Sequence, residues 1–166
     1  MRVAIGLLLF LIAALLQVTL MMRINLLQGS ADLVLLIMIT WMLQPSNEPS
    51  WIWGIPAGLM IGYASALPDY IPLVGYVAAA GLCQLLQKRI WQVPLLTLFS
   101  ATLFGTLAIH ATSMIYLWLN AQPLDLIEAL NLITIPSILL NLILVLPINA
   151  LMGEVNKTVN PEAEPA

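Results

Sequence analysis

Charge is scarce in this chain. Five Lys and Arg and eight Asp and Glu make up 8% of 166 residues, against 61% hydrophobic residues. A soluble domain of this size needs a charged face on each helix, and so few charges cannot build one. Cysteine and histidine occur once each, as Cys83 and His110. A lone cysteine inside an apolar stretch excludes a disulfide framework and a cysteine metal centre, and reads as a small buried apolar side chain. A lone histidine lacks the converging ligands that a metal needs. No G-x-S-x-G, H-E-x-x-H or P-loop pattern occurs. No enzyme, catalytic residue, metal or cofactor is expected, and no nucleic-acid partner.

What fills the chain is apolar sequence. Six runs, at 3–22, 31–43, 51–67, 71–86, 94–119 and 126–152, are separated by short polar joints, and the mean hydropathy is +1.01. A hydrocarbon core about 30 Å thick asks for about 20 mostly apolar residues per helix. The first, fifth and sixth runs meet that length. The expected fold is all-α: a polytopic six-transmembrane-helix bundle with short second and third helices. Residues 1–153 form its single domain, and the polar end 154–166 is a disordered cytoplasmic tail. Arg2 followed by an apolar run is superficially like a signal peptide, but the run is long and lacks a small-x-small cleavage site, so it reads as a retained first helix.

Basic residues set the orientation. With the N-terminus inside, Arg2, Lys88, Arg89 and Lys157 are cytoplasmic and only Arg23 faces out. Both termini are then cytoplasmic. Trp41, Trp51, Trp53 and Trp91 fall near the inner boundary as an interfacial belt, and Tyr70, Tyr116 and Trp118 near the outer one. The runs 31–43 and 51–67 fit either two short crossings or a re-entrant hairpin buried in protein. The charge rule does not separate these, because removing both leaves all other sidedness unchanged.

Polar residues in the apolar runs are the candidate site. Asp32 opens the second run, placed to cap a helix start or to contact another helix or a partner. Gly54, Gly58 and Gly62 recur every fourth residue on one face, where another backbone can approach closely. That face packs either within the chain or against a partner's helix. Thr102, Thr106, His110 and Ser113 form one stripe, and Asn131, Thr134, Ser137 and Asn141 a second. The two stripes either bond to each other and fix helix register, or line a small polar cavity for a solute. Asp125 and Glu128 are spaced as a first-turn pair at a helix N-terminus.

Several stretches resemble the MreD family of bacterial rod-shape-determining membrane proteins. They are Gly29-Ser30-Ala31-Asp32-Leu33-Val34-Leu35-Leu36, the glycine-spaced Gly54-Ile55-Pro56-Ala57-Gly58-Leu59, and Pro72-Leu73-Val74-Gly75-Tyr76 followed by Lys88-Arg89. The family pattern often carries an acid near the position of Gly62, where this chain has glycine and its nearest acid is Asp69. The resemblance implies a non-enzymatic scaffold in the bacterial inner membrane that helps organise lateral peptidoglycan synthesis. Its implied partners are an MreC-like single-pass protein, an MreB-like filament and a peptidoglycan polymerase–transpeptidase pair. The architecture is also similar to the substrate-binding S components of energy-coupling-factor vitamin transporters, which makes a solute-binding subunit the alternative.

Overall fold

The computed structural model describes residues 2–19, 25–44, 50–90, 93–120 and 125–159. Among these residues, seven α-helical stretches run α1 (Arg2–Thr19), α2 (Leu33–Met42), α3 (Gly54–Gly62), α4 (Tyr70–Ile90), α5 (Pro94–Leu119), α6 (Leu126–Ala129) and α7 (Ile135–Val159). One π turn, Leu130–Thr134, joins α6 and α7, and one 3-10 turn, Trp51–Trp53, leads into α3. Two two-residue strands, β1 (Asn25–Leu26) and β2 (Gly29–Ser30), pair as an antiparallel hairpin just before α2. Leu27, at the first central position of its loop, has φ +58°. Hairpin turns commonly require that left-handed region, and glycine usually supplies it.

Among the described residues, three helical spans are long and apolar enough to cross a membrane: Tyr70–Arg89, Pro94–Leu119 and Leu126–Val159. α1, α2 and the stretch Trp51–Gly62 are shorter. At about 1.5 Å per residue, the ten residues of α2 reach only about 15 Å. The fold is therefore all-α, with three helices of spanning length among the described residues.

α2 occupies the centre. Val34, Leu35, Leu36, Met38, Ile39, Thr40, Trp41 and Met42 are all fully buried, on every side of the helix. A helix apolar all round has no face to offer water, so it must be enclosed by others. α1 runs antiparallel to it: Gly6 lies against the rings of Trp53 and Trp41, and Gln17 reaches Ala31 and Leu33. α5 passes behind it, with Gly105 against Leu35 and Ile39.

Two expectations are corrected. Trp41 and Trp53 do not form an outward-facing belt: Trp41 is in the core, and Trp53 packs edge-on against both Phe10 and Trp41. Their rings fill the space that Gly6 leaves open. Trp51 is exposed, and Trp91 lies outside the described residues. The polar end begins later than expected, because α7 stays helical to Val159. Glu154 and Lys157, three apart on that turn, pair at 2.9 Å, as i,i+3 charges do on a helix. Residues 160–166 lie outside the described residues.

Candidate functional site

The polar residues converge where non-helical backbone enters the bundle. The hairpin tip at Leu26 and Leu27 is exposed, but residues 29–32 are buried or half-buried among the helices, and the backbone groups buried there need protein partners. Three elements provide them: α1, α7 and the π turn. Gln17 on α1 donates its Nε2 to the Ala31 carbonyl at 3.0 Å and accepts the Leu33 N–H at 2.7 Å. Ser137 Oγ accepts the Ser30 N–H at 3.1 Å, and Asn141 Oδ1 accepts the Asp32 N–H at 2.8 Å. The Leu132 carbonyl accepts the Gln28 N–H at 3.0 Å.

The last bond has a local cause. In a regular α-helix the Leu132 carbonyl takes the N–H of residue 136. That residue is Pro136, which has none and crowds the preceding turn. The π turn at Leu130–Thr134 sits immediately before it. Gly29 completes the fit: a Cβ there would stand 2.7 Å from the Ile133 carbonyl and the Ser137 nitrogen. Only a glycine lets the hairpin approach so closely.

Asp32 is the N-cap of α2, its Oδ1 accepting the Leu35 N–H at 3.0 Å. The Tyr76 hydroxyl on α4 lies 2.7 Å from both carboxyl oxygens and donates to them. Asn141 carries the network on, donating its Nδ2 to Thr106 Oγ1 at 2.9 Å, and Thr106 donates to the Thr102 carbonyl. Thr106 stands at the middle of α5, so this network lies at mid-depth of the bundle. Tyr76, Thr106, Ser137 and Asn141 are all at most 2% exposed. The side chains bond to each other and to the hairpin, and they hold α2's start rather than line an opening.

The two polar stripes meet only in part. Thr106 joins Asn141, and His110 Nδ1 lies 3.1 Å from Thr134 Oγ1. Thr102 and Ser113 donate to carbonyls one turn back on their own helix, Leu98 and Ile109. Ser137 serves the hairpin, and Asn131 is exposed. Asp125 caps α6, accepting the N–H groups of Ile127 and Glu128.

Of the two readings of the glycine face, packing within the chain is the one seen: Gly54 and Gly58 face α4, and Gly62 the residue just before it. A Cβ at Gly54 would stand 2.6 Å from the Tyr76 carbonyl, and one at Gly58 2.6 Å from Leu73 Cα. At Gly62 the neighbour is the Asp69 carbonyl, 3.1 Å away. Asp32 is likewise engaged inside the chain, by Leu35 and Tyr76.

Sequence reasoning missed Gln17, Tyr76, Gly29 and Pro136. Gln17 had a signal, as the first hydrogen-bonding side chain to break the apolar run of α1. Among the described residues, no three His, Cys, Asp or Glu side chains come together as a metal site. No family model, no curated protein and no solved structure matches this chain.

Proposed function

We propose that the chain is a non-enzymatic, MreD-like scaffold of the bacterial inner membrane, organising lateral peptidoglycan synthesis with an MreC-like single-pass partner. The observation that carries this reading is the closed network of Asp32, Tyr76, Asn141 and Thr106. Groups able to hold a solute at mid-depth are bonded to one another and fix α2 against α4, α5 and α7. Such a bundle is suited to present a fixed surface, not to open around a substrate. The family-like stretches at 29–36 and 54–59 supply the network's acid and the glycine face packed on α4. Exposed apolar side chains, such as Leu8, Leu11 and Leu15 on α1 and Leu139 and Ile143 on α7, suit lipid and a partner's membrane helix. Partner contact then lies on this outer surface, with an MreB-like filament and the polymerase–transpeptidase pair joining the same assembly.

The six-helix, both-ends-inside arrangement belongs to the same proposal. Cysteine-accessibility labelling at Asn47, Asp69 and Gln122 tests it, and external labelling at Asn47 refutes it. For function, the test is purification from native membranes in mild detergent. An MreC-like protein is expected to co-purify and to remain at moderate salt, because helix contacts in hydrocarbon depend little on charge. A chain recovered alone with a stoichiometric vitamin-like molecule, and joined in the cell by ATPase subunits, would replace this reading with the transport one.

A further inference from the structure

The end of the bundle that carries Lys88 and Arg89 contains a cavity of about 460 Å³, within the roughly 300–1,000 Å³ of small-ligand sites. Gln44 at the end of α2, Gln87 on α4, Thr97 on α5 and Asn149 on α7 converge on it, alongside Leu95 and Leu98. Three carboxamides and a hydroxyl thus share one space, and none of the described lining residues is charged. Leu98 is buried on the inner side, while Leu95 is 58% exposed and marks where the cavity meets the outer surface of the bundle.

Both hydrogen-bonding polarities are on offer. Gln87 Oε1 is buried and makes no hydrogen bond with the described residues. A buried acceptor in that state destabilises the fold until a donor reaches it. The start of α5 has the opposite need. Its N-cap, Val93, makes no side-chain cap bond, so among the described residues no side chain caps the Leu95 and Leu96 N–H groups at the positive end of this 26-residue helix. Carboxamide N–H groups of Gln44 and Asn149 add donors.

A ligand that matches must carry N–H donors and anionic acceptor oxygens in one compact group, with an apolar part to lie along Leu95 and Leu98. The depth narrows it further. A basic pair ending an apolar helix of spanning length marks the membrane–water boundary, the level of phospholipid head groups. We propose that this cavity binds the head group of an amine-bearing, zwitterionic phospholipid from the adjoining leaflet. Its ammonium donates to Gln87 Oε1, its phosphate oxygens accept from the start of α5 and the carboxamides, and its first methylenes lie on Leu95. The proposal rests on the membrane reading above, but not on any protein partner.

The test uses the full chain, purified in mild detergent and exchanged with vesicles of phosphatidylethanolamine or phosphatidylglycerol. Retained lipid is then counted by native mass spectrometry. One phosphatidylethanolamine is expected per chain, retained at least tenfold over phosphatidylglycerol. Gln87→Leu removes the acceptor, and Leu95→Trp blocks the mouth from an exposed position without disturbing the core. Each is expected to lower retention at least tenfold, while Ile115→Trp at the other end of α5, at an exposed position, leaves it unchanged, with equal helical circular dichroism in all variants. Equal retention in both cavity variants, or equal retention of the two lipids, overturns the proposal. Competition by free phosphoethanolamine at concentrations equal to the lipid's assigns the cavity to a soluble solute and overturns it too. A chain found in the soluble fraction of cells overturns the membrane reading and this proposal together, whereas loss of the MreC-like partner alone leaves lipid retention as expected.

Discussion

Gln28 donates its backbone N–H to the Leu132 carbonyl at 3.0 Å, the carbonyl that Pro136, four residues on, has no N–H to satisfy. The π turn and the docking point for a hairpin more than 100 residues away in sequence thus lie just before this proline. The approach depends on Gly29, whose added Cβ would stand 2.7–2.8 Å from Ile133, Ser137 and Pro136. Gly29→Ala is expected to destabilise the protein by about 1–3 kcal/mol, the range for forced overpacking. Gly81→Ala, on α4 with nothing within 4 Å of the new Cβ, is expected to be neutral or to stabilise by up to about 1 kcal/mol through helix propensity. Thermal melts in detergent compare the two, and equal melting temperatures would remove the docking role of Gly29.

Asp32 and Tyr76 tie the start of α2 to α4. Asp32→Ala leaves the buried Tyr76 hydroxyl and the Leu35 N–H without their acceptor, at about 1–3 kcal/mol for each group. Asp32→Asn keeps one carbonyl acceptor and is expected to lose less. A double-mutant cycle with Tyr76→Phe is expected to give a coupling of about 0.5–3 kcal/mol. Additive effects would mean that the contact contributes nothing to the fold.

On the glycine face, Gly58→Leu is expected to disrupt folding far more than Met60→Leu. A leucine at position 58 pushes into the α4 backbone at Leu73, whereas Met60 and leucine have similar volume and exchange for less than about 1.5 kcal/mol. The measurement is the melting temperature of the chain alone, with no partner present. If Gly58→Leu melts normally and loses only a partner, the glycine face is intermolecular after all.

How much of this was legible in sequence follows a physical divide. Features fixed by neighbours along the chain were readable: Asp32 as a cap, the four-residue spacing of Gly54, Gly58 and Gly62, and the face shared by Thr106 with His110 and by Thr134 with Asn141. Features set by distant backbone were not. Nothing local in Ser137 tells that its hydroxyl serves Ser30 rather than α5, and nothing in Trp41 tells a core ring from an interfacial one. Gly6, which makes room for that ring, lies 35 residues earlier. The helical course of 153–159 was also hidden, because polar composition reads as a tail until the Glu154–Lys157 pair is seen. Pro136 was in plain view, but its effect depends on which N–H comes to the carbonyl it leaves unpaired.

His110 is the residue most easily mistaken for a reactive group, and its geometry argues for a structural role. It is the chain's one histidine, and its Nδ1 lies 3.1 Å from Thr134 Oγ1, linking α5 to the π turn. Thr134 is buried, so it needs a partner, and a glutamine at position 110 offers both a donor and an acceptor of similar reach. His110→Gln is therefore expected to keep stability and partner recovery close to the parent's. His110→Leu leaves the Thr134 hydroxyl without its partner and is expected to lower stability by about 1 kcal/mol, since interhelical hydrogen bonds in bilayers average well under 2 kcal/mol. Thr134→Val on top of His110→Leu removes the other half of the pair, and the added loss should be smaller than Thr134→Val causes alone. Melting temperatures of the four variants and the parent decide this. A His110→Gln protein that folds normally yet no longer retains the proposed partner would show that the imidazole acts by its chemistry, and the structural assignment would fall.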